Sequence, residues 1–150
     1  MLIHQFKYRH VTRLAEGWGE ALGEWLRPGA AVFRADLVLP VPLHPARERS
    51  RGFNQAALLA RAAGRAAGFP CVEDALRRAR GTATQTGLDP AGRGANLAGA
   101  FLVWRPELIE SRAVVLVDDV VTTGATLGGA VDALLDAGAA SVASLAVARA

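Results

Sequence analysis

The sequence predicts an α/β domain with a mainly parallel central sheet flanked by helices. Three observations carry that prediction. Short aliphatic runs rich in β-branched residues, such as Leu37-Val38-Leu39 and Val114-Val115-Leu116-Val117, have the length and composition of buried strands. Segments with helical spacing alternate with these runs along the chain. The strongest run, at Val114, passes directly through a Thr/Gly turn into a helical pattern, the order found in parallel-sheet proteins. At 150 residues the chain reads as one domain, residues 1–150, large enough for its own core.

Leu2 to Arg9 alternates only partly and is compatible with a strand or a short helix. Thr12 to Leu26 reads as a helix. Leu14, Trp18, Leu22 and Trp25 fall on one helical face with Ala21, which predicts that the tryptophans join the core. Arg27-Pro28-Gly29 ends that helix. Leu37 to Pro42 is the next strand, and its two prolines stop ladder pairing. The strand hands over to a shaped loop, Leu43 to Phe53, in which Arg47, Arg49 and Arg51 crowd together with only Glu48 to offset them. A solvated loop is the plainer reading. Its place after a strand favours an anion-binding loop instead.

Asn54 is positioned to cap a helix over Gln55 to Ala67, with Leu58, Leu59 and Ala62 or Ala63 on its apolar face. Gly68-Phe69-Pro70 turns into a weaker strand, Cys71 to Leu76. Cys71 reads as a small buried residue, since Glu73 and Asp74 disfavour a thiolate. Residues 77–99 are polar, basic and rich in Gly and Thr, which suits either a lid from Arg80 to Asn96 or a plain surface loop. Phe101 to Trp104 resumes a strand, and Pro106 to Ser111 is a turn. The main strand follows, then a helix from Thr126 to Ala137 closed by Gly138, and a last strand from Val142 to Val147.

The chemistry concentrates after the main strand. Asp118 and Asp119 stand side by side, followed by Val120-Val121-Thr122-Thr123-Gly124-Ala125-Thr126. In an open α/β sheet the carboxyl end of a strand faces the ligand crevice. The turn offers free N–H groups and the positive end of a helix dipole to an anion. Hydroxyls of Thr122, Thr123 and Thr126 add donors, and Gly124 permits close backbone approach. A phosphate-binding turn beside two carboxylates suits a ligand that has a phosphate together with sugar hydroxyls or a metal ion. A buried strand whose Asp residues cap the next turn is the plainer alternative. His4, His10 and His44 are candidate general acids, each more readily structural or solvated.

Composition narrows the setting. Apolar residues make up 51%, but no segment reaches membrane-spanning length. Met1 to His10 lacks the apolar run and cleavage site of a signal peptide. The single cysteine excludes an internal disulfide and a cysteine zinc ribbon, and a cytoplasmic setting is expected. The net charge is +3 and nearly all of the cationic charge is arginine, which suits bidentate phosphate recognition. DNA is a weakly supported partner, because no DNA-binding motif and no aromatic-interleaved basic patch stands out.

Val117 to Thr126 resembles the phosphoribosyl-pyrophosphate (PRPP) signature of type I phosphoribosyltransferases. Lys7-Tyr8-Arg9, Val41-Pro42-Leu43-His44-Pro45, Arg51-Gly52-Phe53-Asn54-Gln55 and the set Arg80, Thr84-Gln85, Leu88, Arg93, Asn96, Ala100-Phe101 are similar to the ComF/GntX-like competence proteins of that superfamily. The resemblance implies a type I phosphoribosyltransferase-like fold with a flexible lid loop. It implies that Asp118 and Asp119 hold the ribose and that Val121, Thr122, Thr123, Gly124, Ala125 and Thr126 hold the 5′-phosphate. It further implies Mg²⁺ carried on the pyrophosphate, with no fixed protein ligands. Arg47, Arg49 and Arg51 are then candidates for the pyrophosphate, with Arg80 and Arg93 arriving on the lid. The cellular role implied is DNA uptake in natural transformation beside a helicase-like partner. Many members begin with a cysteine-rich zinc segment that this chain does not show, so no zinc is expected. Two alternatives stay open: a non-enzymatic PRPP- or nucleotide-binding regulator or assembly factor, and a basic DNA-binding competence accessory. No stretch identifies an acceptor.

Overall fold

The computed structural model of the chain describes residues 2–27, 34–79 and 99–150. Helix α1 spans Leu2–Leu26, strand β1 Leu37–Pro40, helix α2 Pro45–Arg51 and helix α3 Gln55–Ala67. Strands β2 (Leu76–Arg78) and β3 (Phe101–Val103) follow, then a 3₁₀ turn at Pro106–Leu108. Strand β4 (Ala113–Val121), helix α4 (Ala125–Asp136) and strand β5 (Ser141–Arg149) complete the domain. The whole of the expected lid from Arg80 to Asn96, with Arg93, lies outside the described residues.

β1, β4 and β5 form a parallel sheet with β4 in the middle. Its aliphatic runs are continuous because both faces are covered. Leu37, Leu39, Val114 and Leu116 pack with Ala130 and Leu134 of α4 and with Leu76, Phe101 and Ile109. Val38, Val115 and Val117 pack on the other face with Leu59, Ala60 and Ala63 of α3 and Leu26 of α1. Cys71 meets this sheet through one parallel bridge to Val38 rather than as a full strand. β2 and β3 make a separate antiparallel ribbon. The expected strand from Cys71 to Leu76 is thus displaced to Leu76–Arg78. No helix among the described residues is long and apolar enough to cross a membrane.

Helix α1 resolves the ambiguous N-terminus, since Leu2 to Arg9 is helical. It corrects the prediction for the tryptophans. Trp18 is 54% exposed, Trp25 75% and Leu14 62%. The buried stripe is Ala15, Gly19, Gly23 and Leu26, with Leu22 half-buried. The reason lies in the partner helix. α3 presents Leu59, Ala62, Ala63 and Ala66, and the backbones close so tightly that a Cβ at Gly19 would lie 2.5 Å from the Ala62 Cβ and 2.7 Å from the Leu59 carbonyl oxygen. A Cβ at Gly23 would meet Ala66 and the Ala63 carbonyl at the same distances. Only small residues fit that seam, so the large apolar ones turn outward.

The stretch from Leu43 to Phe53 also differs from expectation: Pro45–Arg51 within it form α2 rather than a loop. His44 caps it, its Nδ1 accepting from the Ala46 N–H at 3.2 Å. Pro45 is pre-set for the first turn. Gly52, at φ 81°, closes the helix by donating its N–H to the Glu48 carbonyl. Asn54 caps α3 as predicted, its Oδ1 accepting from the Ala56 N–H at 3.0 Å. Its Nδ2 donates to the Val41 carbonyl at 3.1 Å, which ties the start of α3 to the end of β1.

Candidate functional site

The carboxyl ends of β1 and β4 open into a cavity of about 430 Å³. β4 does not stop at its carboxylates: Asp118 still pairs with Ala146 of β5, Val120 with Ala148 and Val121 with Arg149. The sheet therefore holds both acids in extended backbone at the cavity floor. Asp118 Oδ1 accepts from the Asp119 N–H at 2.8 Å, and Asp119 Oδ1 accepts from the Val120 N–H at 2.8 Å. One oxygen of each carboxylate is thereby fixed.

Asp118 is half-buried, and desolvation raises its pKa from 3.8 to about 6. The hydrogen bond from the Asp119 backbone opposes that rise, while the Asp119 carboxyl adds to it and Arg78 pulls against it. Arg78 has a lowered pKa for a related reason: burial first, then the nearby positive charge of Arg47, with Asp118 opposing both. Asp118, Arg47 and Arg78 thus sense one another across the same cavity.

Beyond β4, Thr122, Gly124 and Thr126 line the cavity with Val121. Gly124, at φ 79°, sits at the N-terminal cap of α4, a left-handed conformation that glycine accepts without strain. Gly124 itself brings no side chain to cap this helix end. Thr123 belongs to the turn itself, its Oγ1 accepting from the Ala125 N–H at 3.3 Å, and Ala125 opens α4. α4 thus runs Ala125–Asp136, one residue earlier at each end than expected.

The arginines divide. Arg47 and Arg51 line the cavity; Arg49 does not. Residues four apart share one helical face, whereas a residue two along points elsewhere. An extended reading of the loop places all three alike, and α2 separates them. Arg78 reaches the cavity from β2 and was not among the predicted residues. Its sequence signal was modest: strand alternation puts Arg78 on the same side as the buried Leu76 and Arg77 opposite. Gln55, which accepts from Arg51 at 3.4 Å, is a second lining residue that carries no expected site role, although it closes the Arg51-Gly52-Phe53-Asn54-Gln55 stretch. His44 does not line this cavity. Cys71 is half-buried, and burial pushes its thiol up to about 11. Among the described residues, no three or more His, Cys, Asp or Glu cluster to hold a metal.

The chain is similar to known proteins in sequence and in fold. Residues 50–150 match the phosphoribosyl transferase domain family. The chain is 37% identical over 145 residues to the DNA utilization protein YhgH of Escherichia coli O157:H7, covering 95% of this chain and 63% of that protein. It is 37% identical over 131 residues to Competence protein F of Haemophilus influenzae, covering 85% of this chain and 57% of the relative. Competence protein ComFC of Bacillus subtilis is 33% identical over 115 residues, covering 75% of this chain and 44% of the relative. The chain therefore spans less than two thirds of the length of these relatives.

Among solved structures, the fold is similar to glutamine PRPP amidotransferase from B. subtilis, with a TM-score of 0.60 and 22% identity over 88% of this chain and 25% of that one. It is similar to hypoxanthine phosphoribosyltransferase from Trypanosoma cruzi, with a TM-score of 0.53 and 18% identity over 94% of this chain and 65% of that one. The parallel sheet, its flanking helices and these matches give the type I phosphoribosyltransferase fold, and the chain belongs to the phosphoribosyl transferase domain family.

Proposed function

We propose that the chain binds PRPP with Mg²⁺ in the cavity at the end of β4, as the phosphoribosyltransferase-like part of a cytoplasmic protein acting in DNA uptake. The observation that carries this reading is the meeting of Asp118, Asp119, the Thr122–Thr126 turn and three arginines at one cavity. Each fits one part of PRPP. The turn and the N-terminus of α4 suit the 5′-phosphate. The free oxygens of Asp118 and Asp119 suit the ribose hydroxyls. Arg47, Arg51 and Arg78 suit the pyrophosphate, which needs more positive charge than one side chain supplies.

The donor set also fits Mg²⁺. The ion would arrive on the pyrophosphate oxygens of PRPP and keep several waters, with Asp118 and Asp119 near enough to offset its charge but not as fixed ligands. When bound, it would neutralise charge on the departing pyrophosphate. The protein's own part is to hold the ribose between its phosphate and pyrophosphate anchors while the anomeric carbon takes on positive character. The half-buried Asp118 would ionise fully as cationic groups gather around it. Transfer of the ribose to an acceptor is the further step of this reading, and a pyrophosphate-release assay against a panel of bases and amines tests it. PRPP that binds without release of pyrophosphate would favour the regulatory alternative.

The relatives named for DNA utilization and competence support the cellular role. Loss of DNA uptake in a deletion strain, restored by the wild type and not by an Asp118→Asn, Asp119→Asn variant, is the expected outcome. A direct DNA contact has one observation in its favour. On the β2–β3 ribbon Arg77 stacks over Trp104 at 4.3 Å and Arg78 over Phe101 at 5.3 Å, and Trp104 is exposed. Arginine with an open aromatic face suits single-stranded nucleic acid. Such binding would weaken steeply with salt; no binding at low salt rules it out.

A further inference from the structure

Helix α1 and strand β5 leave an apolar step along one side of the molecule. Among the described residues β5 pairs only with β4, so Ser141–Arg149 forms an edge of the parallel sheet. The strand has no proline and a single charge, at its last residue, so it lacks the usual guards of an exposed edge. α1 lies over this edge. Leu145 and Val147 of β5 pack in the same cluster as Leu22 and Leu26 of α1. A hollow of about 250 Å³ opens between α1 and the carboxyl ends of β4 and β5, with Val11, Leu14 and Trp18 on one wall and Val120, Val147 and Ala148 on the other. Gln55, Asp119 and Val120 border both this hollow and the cavity assigned to PRPP.

α1 carries a second apolar stripe beside its glycine seam. Val11, Leu14, Trp18, Ala21 and Trp25 recur at intervals of three and four, the spacing with which one helix packs along another. Leu14, Trp18 and Trp25 are exposed. Large apolar side chains on one helix face, beside an open strand edge, mark an interaction surface. The charges of α1 say what it meets. Lys7, Arg9 and Arg13 lie before the middle of the helix, and Glu16, Glu20 and Glu24 after it. Such a helix complements a second copy of itself that runs antiparallel, because the basic half of each then meets the acidic half of the other. A parallel copy sets like charges together. An anionic lipid surface repels Glu16, Glu20 and Glu24.

We propose that this face joins two copies of the chain about a two-fold axis, with the two α1 helices antiparallel above two antiparallel β5 strands. One axis serves both pairs. A two-fold perpendicular to the sheet reverses strand and helix together and keeps both helices on the same face. With the axis near Trp18, Leu14 comes level with Leu22 of the partner subunit. Arg13 then lies within one turn of Glu20 of the partner subunit and Glu24 of the partner subunit. The open edges pair, the two sheets continue into one, and each hollow is covered. One helix pair and one strand pair make a modest interface, so the dimer should be reversible at micromolar concentration. The interface does not depend on the PRPP reading.

Sedimentation equilibrium of the full chain from about 1 to 300 μM tests this. The mass should rise from 15.7 kDa toward twice that value. Leu14→Glu with Trp18→Glu should hold the chain monomeric throughout, and both side chains are exposed, so circular dichroism should show a folded variant. Arg13→Glu should weaken the dimer about ten-fold or more, as should Glu20→Lys with Glu24→Lys. Mixing those two variants should restore dimers of near wild-type affinity, since each charge then meets its opposite. Amide exchange along β5 should slow as the wild type is concentrated, and should not in the Leu14→Glu, Trp18→Glu variant. A wild type monomeric at about 300 μM would overturn the inference. So would a dimer indifferent to Leu14→Glu with Trp18→Glu, a mixture no tighter than its components, or a dimer whose β5 amides exchange as fast as the monomer's. Vesicles of phosphatidylglycerol and phosphatidylcholine test the other occupant. Vesicle binding by a monomeric wild type, lost with Leu14→Glu and Trp18→Glu, would assign the face to lipid and overturn the dimer.

Discussion

Replacing Asp118 by Asn should make the protein more stable and less able to bind its ligand. Asp118 sits at the end of the buried run Val114–Val117, and desolvation holds its carboxyl at about 6 rather than 3.8. At about 1.36 kcal/mol per decade that difference corresponds to about 3 kcal/mol. The side chain is partly open to the cavity, and screening there reduces the figure to about 1–2 kcal/mol. The sign follows from linkage. A raised folded-state pKa means that folding favours the protonated acid. The stability this group contributes is complete below 3.8 and lost as pH rises through about 6. At about pH 8 the wild type therefore carries the full cost of an ionised, half-buried carboxylate. Asn carries none of it and keeps an oxygen to accept from the Asp119 N–H. Melts at about pH 8 should show the variant about 3–6 °C higher. That gap should shrink by more than half near about pH 4.5. An Asp118→Asn variant that melts at or below the wild type at high pH, or a gap independent of pH, would show that no desolvation cost resides at this carboxyl.

The remaining predictions address packing, charge and reactivity. Gly19→Ala brings a Cβ against the Leu59 carbonyl oxygen and should destabilise by about 1–3 kcal/mol in denaturant titrations, whereas Gly17→Ala meets nothing within 4 Å and should stabilise by about 0.5–1 kcal/mol. Arg47→Ala, Arg51→Ala and Arg78→Ala should each weaken PRPP binding about ten-fold, and Arg49→Ala should leave it unchanged, as read by calorimetry. Cys71, with its thiol pushed up to about 11, should react slowly with a disulfide reagent near neutral pH in the folded protein and readily after denaturation.

What could be read from the sequence was local. The aliphatic run before Asp118, the Thr/Gly turn and the Asn54 cap each declare themselves within a few residues, because strand burial, a left-handed glycine and an Asx cap are local chemistry. The outer face of α1 could not be read that way. Apolar periodicity identified Leu14, Trp18 and Trp25, but which stripe is buried depends on α3, whose alanines admit only glycine-sized neighbours. The arginines show the same division. Charge density marked residues 47–51, yet Arg49 parts from Arg47 and Arg51 only once His44, Pro45 and Gly52 are recognised as the ends of a helix. Arg78 reaches the cavity through a ribbon whose partner strand begins at Phe101, too far along the chain for any local signal. Gln55 and Asp119 matter to two adjoining cavities at once, which only the packing of α1 beside β4 and β5 reveals.

Whether the cavity at the end of β4 is a phosphosugar site is decided by a calorimetric titration of the chain with PRPP in the presence of Mg²⁺. Saturable binding by the wild type is expected. That binding should be lost in a folded variant carrying Asp118→Asn and Asp119→Asn. No binding by the wild type, or the same affinity in the double variant, would contradict the assignment.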